Sequence, residues 1–284
     1  MKGLITLLQP QYEDMFFYNL KKLRNELNCH YPIEVWSCGN ELSLQTIAKL
    51  QSLKDVYVVN TEDFEEGRAE HWRGWQAKGI VFKYTRFDEG MFYDSDIIFY
   101  QSPSVLFNNK GYKKTGAFFF RDMEWLWDLN PHKDEDAGIH PRYDNKFKSM
   151  SYYRRRQKWI KKELPHGAIK EWNYLYTDTL PTSENEAVQE SGVVVLNKKK
   201  NWDAIDLIYR LNDNHKENQK YQHGDKELWW IAFRKIEKDF TFNDSIPDQT
   251  IGPAIGLDGR VKGQQRSFYR QYYNGELFFS HKEF

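Results

Sequence analysis

The sequence predicts an α/β protein with a parallel central sheet flanked by helices. Three observations predict it. Short apolar runs alternate with helix-period segments at the start of the chain; a buried-strand pattern, Ser191-Gly192-Val193-Val194-Val195-Leu196, returns late; and two further helical patterns follow that late strand.

In order, Leu4 to Leu8 is an apolar run ended by Gln9-Pro10 and reads as a buried strand. Phe16, Leu20, Leu23 and Leu27 recur at helical spacing, with Glu13-Asp14 at the start and Lys21, Lys22 and Arg24 further on. Ile33 to Trp36 is a second strand; Leu44, Ile47, Ala48 and Leu50 mark a second helix; Asp55 to Val59 is a third strand. Alternating β and α implies a parallel sheet with helices on both faces, and such sheets bind ligands at the carboxyl ends of their strands. From residue 128 to about 181 the periodicity fades into a polar stretch containing Arg154, Arg155 and Arg156. It reads either as a solvated insertion or as a lid over the cleft. A helix from Trp202 places Ile205, Ile208 and Leu211 on one face. Another is expected to begin near Gly224-Asp225, carrying Leu228, Trp229, Ala232, Phe233 and Ile236.

The chain of 284 residues carries 41 Lys plus Arg against 41 Asp plus Glu. A balanced charge offers no field to recruit nucleic acid, which argues against a nuclease. Neither GxGxxG after the first strand nor a GxxxxGK[ST] loop occurs, so a nucleotide here is not cradled by a P-loop. Cys29 and Cys38 make no disulfide framework or metal motif. No stretch approaches the roughly 18–20 apolar residues of a membrane span, and Met1 to Leu8 is too short for a signal peptide. Read as it stands, the chain is soluble and cytoplasmic. The aromatic load, with 10 Trp, serves cores first; exposed indoles near a cleft would suit sugar rings.

The sharpest chemistry lies in Met91-Phe92-Tyr93-Asp94-Ser95-Asp96-Ile97-Ile98. An apolar strand runs into two carboxylates at i and i+2, which an extended chain points to the same side. Two such acids repel and are costly to bury unless a cation sits between them. A hard divalent ion, Mn²⁺ or Mg²⁺, shared with substrate phosphates fits that chemistry.

The segment Phe87-Asp88-Glu89-Gly90-Met91-Phe92-Tyr93-Asp94-Ser95-Asp96, followed by Ser102-Pro103-Ser104-Val105-Leu106-Phe107, resembles the strand-end acidic signature of the fungal α-1,3-mannosyltransferase family. Four further blocks resemble that family in its order: Leu23-Arg24 with Cys29 to Trp36, Thr115 to Asp122, Glu190 to Lys198, and Gly224 to Phe233. The chain is also similar, more distantly, to the glycogenin and galactosyltransferase family.

These resemblances imply a GT-A glycosyltransferase, with a mixed, mostly parallel central sheet flanked by helices, forming a single domain over residues 1–284. Residues 1–127 would be the nucleotide-binding half, 128–181 the insertion or lid, and 182–284 the acceptor and donor-sugar half. They imply Asp94, Asp96 and His281 as ligands of Mn²⁺ or Mg²⁺. Asp225 and Glu190 would hold sugar hydroxyls at the reaction centre. Thr6, Tyr12, Lys78, Ser95, Ser191, Gly192 and Lys226 would line the nucleotide-sugar donor, with Lys78 and Arg86 also candidates for the diphosphate.

Structural roles stand beside some of these: Asp225 as a helix cap, Gly192 as a close-packing residue. The opening nucleotide-contact motif is matched one residue short by Thr6 to Tyr12. The implied transfer is retaining, to a glycan hydroxyl, from GDP-mannose or, alternatively, from a UDP-hexose or UDP-xylose. A non-catalytic carbohydrate-binding protein is the rival reading. Family members are anchored in the Golgi by an N-terminal helix, so a Golgi-lumen location follows if this chain is a fragment of such an enzyme.

Overall fold

A computed structural model of the chain describes residues 1–122, 189–218, 224–245, 247–255 and 261–281. The expected insertion, 128–181, and Arg154 to Arg156 within it lie outside the described residues.

The elements run β1 (Lys2–Leu7), α1 (Glu13–Asn25), β2 (Ile33–Ser37), α2 (Leu44–Gln51), β3 (Val56–Asn60), α3 (Ala77–Tyr84), β4 (Glu89–Tyr93), β5 (Ile97–Phe99), α4 (Lys110–Thr115) and β6 (Ala117–Arg121). From residue 189 on come β7 (Gln189–Asn197), α5 (Trp202–Asp213), α6 (His215–Asn218), α7 (Leu228–Lys235), β8 (Thr241–Phe242), β9 (Asp248–Ile255), β10 (Val261–Tyr273) and β11 (Glu276–His281). Local chemistry fits these helices. Glu13 and Asp14 sit in the first turn of α1, with Lys22 and Arg24 in its last, matching the helix dipole. Ser43 caps α2 by accepting the Thr46 N–H.

Seven strands form the main sheet in the order β3-β2-β1-β4-β7-β6-β8. All run parallel except β7, which is antiparallel to both neighbours. This is the α/β class that the sequence predicts, with the mixed, mostly parallel sheet that the resemblances imply. Successive residues of each strand serve opposite faces. Met91, Tyr93, Val193, Val195, Phe118 and Phe120 pack on the face that buries α1. Phe92, Val194, Leu196, Ala117 and Phe119 pack on the face covered by α3, α5 and α7. Cys29 and Cys38 belong to opposite clusters and are both buried free thiols.

A second, antiparallel sheet, β5-β11-β10-β9, closes over one end. Its β5–β11 pairing sets His281 opposite Ile97 and Phe279 opposite Phe99. The sequence reading assigns no strands between 248 and 281, so this sheet is new with the structure.

The buried Glu34 carboxylate of β2 accepts from Trp36 Nε1 (3.0 Å), Thr85 Oγ1 (2.7 Å), the Arg86 N–H (3.0 Å) and Arg86 Nε (2.9 Å). That network fixes the segment entering β4. It also spends Arg86 on Glu34 and on the ring of Tyr57, 4.3 Å away, rather than at the acidic turn. No helix among the described residues is long and apolar enough to cross a membrane.

Candidate active site

The site forms at the carboxyl end of β4, where β7 begins and β11 ends. The acidic pair does not continue the strand, as the extended reading expects. Asp94-Ser95-Asp96 is a tight turn between β4 and β5, closed by the Ile97 N–H donating to the Asp94 carbonyl at 3.0 Å. The turn, not strand periodicity, brings the carboxylates together. It is pinned from β7, where Gly192 O accepts the Asp94 N–H at 2.8 Å. Asp96 and Ser95 are buried.

His281 is delivered to this turn from the far end of the chain. Its Nε2 lies 3.1 Å from Asp96 Oδ1. Asp94, Asp96 and His281 each offer a ligand atom within 4.8 Å of the others, the one such group among the described residues. Electrostatics follow from that crowding. Burial, set against Lys78 and reinforced by Asp96, pushes Asp94 up to about 6. Burial alone would lower His281, but Asp96 and Glu190 overcome it and lift the imidazole to about 10.

Two lysines, Lys78 buried and Lys226 half-buried, knit the surroundings. Lys78, from the first turn of α3, is 3 % exposed. Its ammonium reaches Asp94 Oδ1 (3.0 Å), the Ser191 carbonyl (3.1 Å), Ser191 Oγ (3.3 Å) and Asp225 Oδ1 (3.5 Å). Lys226 donates to Asp122 Oδ2 (2.6 Å) and Glu190 Oε2 (3.2 Å). Neighbouring residues on β7, Glu190 and Ser191, thus meet neighbouring residues of one turn, Lys226 and Asp225. The placement of Lys78 is inward, its three N–H groups already engaged, whereas a diphosphate contact was expected.

Asp225 does not cap α7. Glu227 immediately precedes the helix, which begins at Leu228 rather than near Gly224. The Asp225 carboxylate instead accepts from Ser191 Oγ (3.1 Å) and Trp229 Nε1 (2.8 Å). Gly192 has a packing reason: a Cβ there would lie 3.0 Å from Glu190 Oε1, 3.2 Å from Ile97 Cδ1 and 3.5 Å from His281 Nδ1. Tyr12, in the turn leading into α1, is partly buried, and burial, then the charges of Asp96 and Asp94, raise its hydroxyl. Thr6 is fully buried within β1, its hydroxyl without a hydrogen-bond partner among the described residues. Asp122 and Trp229 hold Lys226 and Asp225, roles the sequence reading does not assign. Asp122 closes the Thr115–Asp122 block, so its position was visible, whereas Trp229 reads as an ordinary core residue of its helix.

At the carboxyl edge of this α/β sheet, two acids and a histidine come together in a group that could hold a metal ion, with Lys78 and Lys226 close by. Residues 1–255 match the family described as "Mannosyltransferase putative". The chain belongs to that family.

It is 23% identical over 292 residues to "Alpha-1,3-mannosyltransferase MNT3" of Saccharomyces cerevisiae, covering 94% of this chain and 43% of that protein. To "Putative alpha-1,3-mannosyltransferase MNN14" of Candida albicans it is 23% identical over 276 residues, covering 92% and 37%. The chain therefore spans less than half the length of these relatives. Among solved structures it resembles core-mannan synthase A of Aspergillus fumigatus in its Mn/GDP form (TM-score 0.49, 11% identity, 82% of this chain and 69% of that one). It also resembles the galactosyltransferase LgtC with donor and acceptor sugar analogs (TM-score 0.46, 12% identity, 86% and 73%).

Proposed function

We propose that this chain is a metal-dependent mannosyltransferase of the GT-A type, moving mannose from GDP-mannose to a glycan hydroxyl with retention of configuration. The observation that carries this reading is the meeting of Asp94, Asp96 and His281 in a member of a mannosyltransferase family. Two carboxylates and one imidazole suit Mn²⁺ better than Mg²⁺, which prefers a near-ideal oxygen shell. When bound, the ion would neutralise the donor diphosphate and stabilise it as a leaving group.

The protein's own groups prepare the site. Lys78 orients Asp94 and Asp225 and offsets their charge, while Ser191 and Trp229 hold Asp225 in place. Ser95, in the acidic turn, and Tyr12 would contact the nucleotide, while Thr6, fully buried within β1, would not. In the transfer, the bond from the anomeric carbon to the phosphate oxygen breaks and a bond to the acceptor oxygen forms. The acceptor proton passes to the departing phosphate. An inverting enzyme needs a carboxylate base aimed at the acceptor. Each carboxylate of the described cluster is engaged by lysine, histidine, hydroxyl, indole or backbone N–H.

The test is a thermal-shift panel of GDP-mannose, UDP-glucose, UDP-galactose and UDP-xylose, each with Mn²⁺ or EDTA, followed by proton NMR of the product. A GDP-mannose shift that vanishes in EDTA, with an α-linked product, is expected. A shift with a UDP-sugar instead would overturn the donor. No shift with any of the four would turn the reading toward a non-catalytic sugar-binding member.

A further inference from the structure

We infer that Glu190 is a positioning residue for the metal ligand His281, not a contact to the transferred sugar. The inference rests on the metal reading of the Asp94, Asp96 and His281 cluster.

Both oxygens of Glu190 face protein donors. The side chain is buried at the start of β7. Oε1 accepts the Gly192 N–H at 2.7 Å, and Oε2 accepts from Lys226 Nζ at 3.2 Å. Lys226 is itself anchored on Asp122 at 2.6 Å. A carboxylate clamped on both sides has little freedom to reach a sugar hydroxyl.

What Glu190 does meet is the back of the imidazole. His281 Nε2 points to the acidic turn, and the opposite nitrogen, Nδ1, lies 3.7 Å from Glu190 Oε1. That nitrogen is buried and has no hydrogen-bond partner among the described residues. Closing the gap by about 0.5 Å makes a normal N–H···O bond, and leaving a buried N–H unpaired is costly. Metal-ligating histidines commonly donate their second N–H to a carboxylate, which fixes tautomer and ring orientation.

His281 sits at the end of β11, its backbone paired with Ile97 of β5 on one side and Tyr269 of β10 on the other. Strand pairing places the Cα but does not set the ring; Asp96 holds the imidazole at Nε2, and Glu190 faces its opposite nitrogen.

The test measures Mn²⁺ binding to the whole chain without donor, by electron paramagnetic resonance titration, for wild type and Glu190→Gln. The variant is expected to bind Mn²⁺ about 10–100-fold more weakly. Its KM for Mn²⁺ should rise in step, its donor KM should stay unchanged, and kcat should be largely recovered at saturating Mn²⁺.

Unchanged Mn²⁺ affinity with a lost kcat or a raised donor KM would overturn the inference, because it would place Glu190 on the substrate. Wild-type protein that binds no Mn²⁺ would instead overturn the metal reading beneath it. Circular dichroism and melting in EDTA verify that the variant is folded. If Glu190→Gln does not fold, Glu190→Asp carries the test: it keeps the charge, shortens the arm away from Nδ1, and is expected to weaken Mn²⁺ in the same sense. Full affinity in that variant would count against the inference.

Discussion

The Lys78 ammonium stands between two carboxylates, 3.0 Å from Asp94 and 3.5 Å from Asp225, and so ties the acidic turn after β4 to the turn before α7. Burial opposes its charge, but Asp225 and Asp94 together hold it protonated well above the ordinary lysine range. Removing one member of a buried charge group leaves the others uncompensated. Lys78→Met is therefore expected to cost about 3–5 kcal/mol in urea unfolding. Asp225→Asn should cost less, because the amide can still accept from Ser191 or Trp229. Equal, small losses for both variants would show that the ammonium is not a structural hub.

His281 gives a pH dependence with a definite sign. Its folded-state value, about 10, is above its ordinary 6.5. The folded protein therefore holds a proton that the unfolded chain releases. The stabilisation is complete below pH 6.5 and is lost as pH rises through about 10. Asp94 titrates lower, at about 6, so the two windows separate. In EDTA, the melting temperature of wild type should fall from pH 7 to 10 more steeply than that of His281→Asn. Mn²⁺ should flatten that slope, since a metal ligand must be the neutral imidazole. Parallel slopes in EDTA would remove His281 as the cause.

At Gly192 an added methyl has nowhere to go. It would press on Glu190 Oε1 at 3.0 Å and Ile97 Cδ1 at 3.2 Å, beside His281. Gly192→Ala is expected to destabilise the fold by about 1–3 kcal/mol and to weaken Mn²⁺ binding by displacing the imidazole. Stability and affinity both at wild-type level would mean that the β4–β7 end has room to relax.

The two thiols provide an independent check on packing. Burial pushes Cys29 up and Cys38 up to about 12, leaving little thiolate near neutral pH. Both should react slowly with a thiol-specific disulfide reagent at pH 8 in the native protein and rapidly once unfolded. Fast native labelling of Cys38 would contradict its place against the carbonyl of Trp72.

Much of the fold was legible because its signals are local. The runs at Leu4, Ile33 and Val56 carry strand periodicity, and the helix from Trp202 carries its own apolar face, as α5 does in the structure. The acidic pair was legible as a composition, two carboxylates after a buried strand, but not as a geometry. A tight turn depends on how Asp94 and Ile97 bond to each other, which residue spacing does not report. The start of α7 was misplaced because Gly224-Asp225 resembles a helix entry, while the Asp225 side chain is drawn instead to Ser191 and Trp229.

The sequence by itself determined the α/β class, the strand that ends in Asp94 and Asp96, and the set of residues from which a site could be drawn. Tertiary structure decided which of them meet. Pairing of β11 with β5 carries His281 across most of the chain to Asp96, and β7 lying antiparallel beside β4 sets Glu190, Ser191 and Gly192 against the same turn. Those contacts depend on strand order and register, and the free energy that selects them comes from burying both faces of the sheet at once.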